Sequence, residues 1–180
     1  MALTATVYTF DVELSDVDRN VYENLSLRVA RHPSETEDFL VTRVLAYCLE
    51  YCEGIGFSSG LSTPDEPALA VRDLTGTIQV WIEIGAPDAA RLHKASKAAA
   101  RVVLYTHKDP DKVAALWAGE RIHRADELEL YAVDRTLLAQ LVARLTRRMA
   151  FALSVTDRQL YVTLDGAVLE GEVRRLAAPA

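Results

Sequence analysis

The sequence has only two cysteines, Cys48 and Cys52, among its 180 residues. They lie four positions apart in an apolar stretch, where a helix points both thiols to one side and disfavours a bridge between them. A zinc site needs about two further ligands, and none follows at a matching spacing. We therefore expect two reduced, buried thiols without a chemical role, and neither a disulfide scaffold nor a zinc domain.

Long apolar runs and an excess of basic residues are also missing. No window approaches the roughly 20 apolar residues of a membrane span, and the opening segment, MALTATVYTF, has no basic region followed by an apolar run, unlike a signal peptide. We expect no membrane association and a cytoplasmic location. The formal net charge of -6 argues against a protein that coats nucleic acid non-specifically, although a local basic patch would still allow a nucleic-acid partner.

The residues that are present fit a globular protein. Hydrophobic residues make up 50% of the chain and charged residues 26%, which is the balance of an apolar core with a solvated surface. The length fits one domain better than two, and no repeat, low-complexity segment or linker divides the chain. We predict a single domain over residues 1–180.

Alternating apolar and polar residues predict β-strands, and apolar residues at helical spacing predict α-helices. The predicted strands cover residues 3–13, 22–31, 68–73, 77–84, 101–106, 128–133 and 168–176, with a further hairpin over 150–164. Two helices are predicted to begin at Ser34, which forms a capping box with Glu37, and at Pro87. They should end near residues 54 and 100, and two more helices are predicted over 111–118 and 135–148.

This order of elements predicts an α/β or α+β fold with a mixed β-sheet flanked by helices and with additional hairpins at both ends. Residues 77–84 form the strongest predicted strand, and its alternation puts Glu83 on the same face as Gln79 and Trp81. The apolar strand over 101–106 is of the buried, parallel type. We expect both strands inside one sheet, covered by the helices that begin at Ser34 and Pro87.

A carboxylate inside the strongest strand is the most unusual feature of the sequence. An ionised Glu83 in a covered position is costly unless it is paired or binds a metal. Asp73 ends the preceding strand, and Lys94 lies two to three turns into the next helix. Two carboxylates suit Mg²⁺, which prefers oxygen ligands, and a lysine can orient an attacking water or stabilise charge on a phosphate. These residues predict a phosphodiester-hydrolysis site.

The alternative is a structural ion pair that fixes the helix against the strand, with Glu83 bound to Lys94 or to Arg91. Residues of these types often lie this close in sequence by chance. Spacing alone leaves both interpretations open.

Four segments carry a resemblance to a known family. They are RHPSET at 31–36, DEP at 65–67, WIEIGAPD at 81–88 and KA at 94–95. In this order, and over nearly the whole chain, they resemble the signature segments of the YaeQ family. That family in turn resembles the PD-(D/E)XK, or restriction-endonuclease-like, nucleases. The resemblance implies a restriction-endonuclease-like core, Mg²⁺ as cofactor and nucleic acid as substrate.

The nuclease pattern maps onto this chain with one departure. The usual pattern is an acid on one strand, then an acid, any residue and a lysine on the next, which implies Asp73 and Glu83 as metal ligands. Gly85 occupies the position of the lysine. Related families move that lysine to the following helix, which makes Lys94 the first candidate and Lys97 the second. Glu35 matches the place of a further acid.

Other notable residues have simple structural explanations. His32 can contact a substrate or hydrogen-bond the backbone where the hairpin meets the helix, and we favour the structural role. Trp81 can stack on a base, but a core tryptophan is the simpler interpretation. A helix dipole explains the basic cluster at the end of the fourth predicted helix, formed by Arg144, Arg147 and Arg148. The cations Arg91, Lys94, Lys97 and Arg101 surround the predicted site.

Two functional hypotheses follow. The first is a Mg²⁺-dependent nuclease-like hydrolase in which Asp73 and Glu83 hold the metal, Lys94 assists the water or the phosphate, and Glu35 supports the site. The second is an inactive binding or regulatory module of the same fold, in which the acids and the lysine form a structural ion-pair network. A wide, exposed pair of Asp73 and Glu83 carboxylates near Lys94 would favour the first hypothesis, and a buried Glu83–Lys94 pair with Asp73 turned away would favour the second.

Overall fold

The computed structural model of the protein describes residues 4–58 and 65–179. In chain order, the elements are β1 (Thr6–Asp16), β2 (Val21–Arg31), α1 (Glu37–Leu49), β3 (Ile55–Phe57), β4 (Leu69–Arg72), β5 (Ile78–Ile84), α2 (Ala89–Ala98), β6 (Arg101–Thr106), α3 (Pro110–Ala115), a 3-10 turn (Ala125–Glu127), β7 (Glu129–Val133), α4 (Arg135–Ala143), β8 (Arg148–Thr156), β9 (Gln159–Leu164) and β10 (Ala167–Leu176).

The ten described strands form one mixed sheet in the order β2-β1-β8-β9-β10-β7-β6-β5-β4-β3. β5 pairs with β4 in antiparallel and with β6 in parallel orientation, and β6 pairs in parallel with β7. The predicted strands around 68–73, 77–84 and 101–106 therefore lie in one sheet, and β5 is internal, as predicted. The crossover from β5 to β6 runs through α2, which is the usual way to connect parallel neighbours.

The sheet is strongly curved, nearly closed and barrel-like. One core cluster combines Leu25 of β2 and Leu69 of β4, which lie near opposite ends of the strand order, with α1 and α4 residues such as Leu40 and Leu137. A flat sheet of ten strands would keep these ends far apart. The predicted mixed sheet with flanking helices and terminal hairpins is confirmed, whereas a sheet of this extent and curvature was not predicted.

The helices divide between the two faces of the sheet. α1 and α4 belong to the core cluster on the concave face, and α2 and α3 pack in a second cluster on the other face. Side chains of β5 alternate between the two clusters: Ile82 and Ile84 belong to the first cluster, and Trp81 belongs to the second. None of the helices in residues 4–58 and 65–179 has the length and apolar character that crossing a bilayer requires.

The first helix begins later than predicted. Thr36, not Ser34, is its N-cap, and the Thr36 hydroxyl accepts a hydrogen bond from the Phe39 N–H at 3.1 Å. The Ser34 hydroxyl lies instead 2.6 Å from Nδ1 of His32. Both residues are good N-caps, so the local sequence does not distinguish them; the contact with His32 engages Ser34 in the preceding turn.

Two helix ends also differ from the prediction. α1 ends at Leu49, so Cys48 is buried inside the helix while Cys52 lies beyond it and is exposed. The prediction of two buried thiols is therefore wrong for Cys52, and burial raises the pKa of the Cys48 thiol to about 12. α4 ends at Ala143, so Arg148 begins a strand and is not part of a helix end.

Helix α4 approaches β10 closely at Gly171. A Cβ atom placed on Gly171 would lie 2.7 Å from Cβ of Leu137 and 2.8 Å from Cβ of Asp134. Both of these atoms are fixed to the start of α4, and the backbone N–H of Asp134 donates to the carbonyl of Glu172 at 3.0 Å. The glycine therefore lets the helix dock directly on the strand.

We predict that Gly171→Ala lowers the free energy of unfolding by about 1–3 kcal/mol, which is the usual cost of overpacking a close contact. Urea denaturation measures it. Gly56→Ala is the matched control, because a Cβ there meets nothing within 4 Å, and its effect should stay within about 0.5 kcal/mol. Equal effects of the two substitutions would show that α4 does not rest on Gly171.

Candidate functional site

The candidate site is a cleft at the carboxyl ends of β5 and β6, with a volume of about 450 Å³. The segments that follow these two strands, residues 84–87 and 107–108, form its floor, and the start of α1 forms one wall. The carboxyl ends of parallel strands commonly form ligand sites, because the loops that follow them converge. Three carboxylates line this cleft: Glu35, Glu66 and Glu83.

Glu83 is buried, with 4% of its surface exposed, and both of its carboxylate oxygens are hydrogen-bonded. The indole Nε1–H of Trp81 donates to Oε1 at 2.7 Å, and Nε–H of Arg91 donates to Oε2 at 2.8 Å. Trp81 and Glu83 share a strand face, as predicted, and Trp81 is a core residue, 1% exposed. The buried charge is thus satisfied by one neutral and one cationic donor, as a buried carboxylate requires.

Arg91 connects three parts of the molecule through its side-chain hydrogen bonds. It projects from the first turn of α2 to Glu83 on β5, and its Nη2 donates to the carbonyl of Glu66 at 2.7 Å. Its guanidinium carbon also lies 5.9 Å from the ring centre of Trp81. The helix is placed by its N-cap, because the Asp88 carboxylate accepts a hydrogen bond from the Arg91 N–H at 2.8 Å.

Glu35 forms a second ion pair on the opposite wall. Its Oε2 lies 3.2 Å from Nη2 of Arg43, whose side chain is 3% exposed. The same nitrogen donates to the carbonyl of Ala30 at 2.8 Å, which joins α1 to β2. Burial lowers the pKa of Arg43, and the charge of Glu35 opposes this shift. Glu35 therefore lies at the cleft, as predicted, but it holds an arginine there.

Two buried nitrogen atoms at the cleft have no hydrogen-bond partner among the described residues, Nδ1 of His107 and Nε of Arg43. Burial, followed by the charge of Lys108, lowers the pKa of His107, so its imidazole is neutral at pH 7. Buried polar atoms are normally paired. His107 itself is one of the residues that line the cleft.

Gly85 also lies on the cleft, with a φ of 93°. A lysine in this left-handed conformation would be strained, and a Cβ atom would contact the His107 ring at 3.5 Å. The departure from the nuclease pattern at this position therefore has a backbone cause. The glycine lets the chain turn from β5 toward α2 beside the imidazole.

Asp73 does not join the cleft. It lies in the exposed turn between β4 and β5, where Oδ1 accepts hydrogen bonds from Thr75 and Thr77 and Oδ2 accepts one from Gln79. The hydrogen bond from the Thr75 hydroxyl is the largest cause of a lowered Asp73 pKa, about 2. The carboxylate of Asp73 is used by hydrogen bonds within its own turn, so the predicted convergence of Asp73 with Glu83 is not observed.

Lys94 does not join the cleft either. It pairs with Asp65 on the surface, and the two side chains are 48% and 78% exposed. Lys97 is exposed in the last turn of α2. Arg91 lies one turn before Lys94 on the same helix and takes the place beside Glu83 that we predicted for the lysine. The alternative pairing with Arg91, left open by the sequence, is the one observed.

The arrangement does not bring the two predicted metal ligands together. Among residues 4–58 and 65–179, no group of three or more histidine, cysteine, aspartate or glutamate side chains could hold one. Glu83 already accepts hydrogen bonds at both oxygens, and Asp73 accepts them within its own turn. A magnesium ion that used these two carboxylates would have to displace Trp81 or Arg91 from Glu83.

Sequence reasoning missed part of the cleft. Arg43 gave no signal beyond its place in an apolar helix. His107 and Lys108 did leave one, since they directly follow the predicted buried strand over 101–106. The ends of parallel strands meet at one edge of the sheet, so residues just after β6 are expected beside those just after β5.

The fold and the cleft define a protein of mixed α+β class, with a nearly closed sheet and a ligand-sized cleft at the ends of two parallel strands. The chain belongs to the YaeQ family, since the sequence model of the family described as YaeQ protein matches residues 1–173.

Relatives in bacteria support this membership. The chain is 34% identical over 173 residues to "Uncharacterized protein YaeQ" of Escherichia coli (strain K12), with 94% of each chain covered. It is 33% identical over 166 residues to the protein of the same name in Salmonella typhi, with 91% of each covered.

Two solved structures are similar to the whole chain. The crystal structure of YaeQ protein from Pseudomonas syringae has a TM-score of 0.85 and 32% identity, and covers 97% of each chain. That of YaeQ protein from Xanthomonas axonopodis pv. citri has a TM-score of 0.86 and 32% identity, and covers 98% of this chain and 100% of its own.

We predict that Glu83→Gln lowers the free energy of unfolding by about 1–3 kcal/mol, the cost of leaving a buried polar group without its partner. The loss should be smaller than the about 3–5 kcal/mol of a fully buried pair, because the Arg91 side chain is 28% exposed and can be rehydrated.

Lys94→Gln is the control for this prediction. It removes an exposed pair, which contributes about 0–1 kcal/mol, and urea denaturation compares the two variants. A Glu83→Gln protein as stable as the unmodified chain would contradict a structural ion pair.

Proposed function

We propose that the protein is a binding module that takes a small organic anion in the cleft at the ends of β5 and β6. The observation that carries this proposal is an open cleft lined by His107, whose Nδ1 is itself buried and has no hydrogen-bond partner among the described residues. The volume of about 450 Å³ lies in the usual range for small-molecule sites.

The lining of the cleft suggests the chemistry of the ligand. The acids Glu35 and Glu83 are each neutralised by an arginine, so they do not repel an anion strongly. Lys108 adds a cation beside His107. An apolar body is accommodated by the apolar lining residues Phe39, Pro67, Ala68, Ile84, Ala86 and Pro87. A small carboxylic acid with an apolar body matches this combination.

In this proposal the ion pairs have a positioning role. Arg91 holds α2, β5 and the segment before β4 in register, and Arg43 holds the start of α1 against β2. The cleft is therefore preformed before the ligand arrives, which reduces the entropic cost of binding. This is the inactive-module hypothesis, with Arg91 in the place expected for Lys94.

A metal-dependent phosphodiester hydrolase of the restriction-endonuclease-like fold is the second candidate. One observation favours it: Glu35, Glu66 and Glu83 line the same cleft. The candidate needs Mg²⁺ and a nucleic-acid substrate, and it requires Arg91 to release Glu83. Asp73 and Lys94, the other residues of the original hypothesis, would have to act from outside the cleft.

We predict that benzoate, used as a probe acid, binds the cleft, and that saturation-transfer NMR detects it. His107→Phe keeps the size of the side chain but removes the nitrogen. It should weaken binding about 10- to 100-fold, because a hydrogen bond to a charged group contributes about 1.5–3 kcal/mol. Lys97→Gln, outside the cleft, is the control and should leave the affinity unchanged. Benzoate binding equal in all three proteins, or absent in all, would contradict the proposal.

Calorimetry with Mg²⁺ and Mn²⁺ separates the two candidates. The binding module gives no cation-specific heat with the unmodified protein or with Glu83→Gln. Specific heat with the unmodified protein that disappears in Glu83→Gln, while the variant stays folded, would favour the hydrolase and contradict the module.

A further inference from the structure

Three arginines line one surface depression where β1, β2 and the start of β8 meet, far from the cleft residues in the strand order. Thr9 of β1 pairs in register with Arg28 of β2 on one side and with Arg148 of β8 on the other. Neighbouring strands lie about 4.8 Å apart, so the two arginines flank the threonine in one row. Arg147 precedes β8 and completes what we call the arginine cluster: Arg28, Arg147 and Arg148.

The arginine cluster lines a shallow depression of about 340 Å³ together with Val7 and Thr9. All three arginines are exposed. Arg28 and Arg148 alternate with the core residues Leu27 and Met149, which directs these two side chains away from the core. The depression therefore opens on solvent and is lined by three arginines.

None of the three arginines of the cluster forms an ion pair within the part of the chain that the structure describes. Arg43 and Arg91, the arginines that line the cleft, are both paired with glutamates. Asp11 lies one row further along the same face, but its Oδ1 accepts a hydrogen bond from the Ser26 hydroxyl at 2.8 Å. Three like charges at one depression repel one another until an anion is present.

The backbone orients one of the three side chains. Nε–H of Arg147 donates to the carbonyl of Val7 at 2.8 Å, and the N–H of Thr9 donates to the carbonyl of Arg147 at 2.9 Å. The guanidinium carbon of Arg147 lies 5.9 Å from the ring centre of Tyr8. Its two terminal nitrogens remain available for a ligand. A helix dipole does not explain the cluster, because α4 already ends at Ala143.

We propose that the arginine cluster is a binding site for the phosphate group of a small molecule. The planar fork of a guanidinium matches the oxygens of a phosphate, to which it donates two parallel hydrogen bonds. The Thr9 hydroxyl in the middle of the row already donates to the carbonyl of Arg147 at 3.4 Å, so the guanidinium groups are the donors that the site offers. This site is separate from the cleft and does not depend on the ligand proposed there.

A small phosphate compound fits better than a nucleic-acid strand. The depression is formed by five residues, which is enough for one or two phosphate groups, whereas a strand needs a stripe of cations along its backbone. The net charge of -6 also makes the rest of the surface repel a long polyanion. The cluster attracts an anion through its local field alone.

Calorimetry with pyrophosphate at low ionic strength tests the proposal. The unmodified protein should bind it, and Arg28→Gln and Arg148→Gln should each weaken binding at least about tenfold, since each removes a charged donor pair. Arg144→Gln is the matched control, because Arg144 is also exposed but donates to the carbonyl of Gln140 outside the depression. Its affinity should stay within about twofold of the unmodified protein. Thermal melts check that all variants are folded.

Two results would overturn the proposal. Pyrophosphate that gives no heat, or that binds equally to the unmodified protein and both cluster variants, would show that the arginines form no phosphate site. A fluorescent 20-nucleotide single strand that binds more tightly than pyrophosphate, and loses its affinity in Arg28→Gln, would overturn the assignment to a small molecule. Weak or absent binding of the strand supports it.

Discussion

The carboxylate of Glu83 lies inside the molecule, where an ionised group needs donors at both oxygens. Trp81 supplies one from the same strand, two residues away, and Arg91 supplies the other from the next helix. Because the arginine must reach β5, α2 is held over the sheet at a fixed height and angle. Its further hydrogen bond to the Glu66 carbonyl then fixes the segment that leads into β4, so one buried charge places three elements.

The cleft follows from that placement and from the curvature of the sheet. The chain turns at Gly85 and leaves the sheet beside His107. The segments that follow β5 and β6 therefore form the floor of the cleft together. Curvature brings the start of α1 over this floor, where Glu35 and Arg43 neutralise each other. The carboxylates of Glu83 and Glu35 are thus used in ion pairs, and His107 and Lys108 are the lining residues that our proposal assigns to a bound anion.

Local patterns predicted most of the secondary structure, because alternation and helical spacing report directly which residues face a core. They identified β5 as internal and Glu83 as its unusual residue. They did not distinguish Arg91 from Lys94, since both lie on one helix face and only the three-dimensional distance to β5 selects between them. Asp73 was misplaced because its carboxylate is needed by its own turn. His107 directly follows β6, whereas Gly85 follows β5, so the approach of the two residues depends on which strands are neighbours, and the local pattern of either segment does not determine that.

A double-mutant cycle on Glu83 and Arg91 measures the central interaction most directly. The free energy of unfolding is determined by urea denaturation for the unmodified protein, Glu83→Gln, Arg91→Gln and the double variant. If the Glu83–Arg91 pair holds α2 on β5, the two substitutions should show a coupling energy of about 1–3 kcal/mol, because either single substitution already breaks the contact. Single effects that add to within about 0.5 kcal/mol would show that the two side chains act independently, and would contradict this account of how the cleft is built.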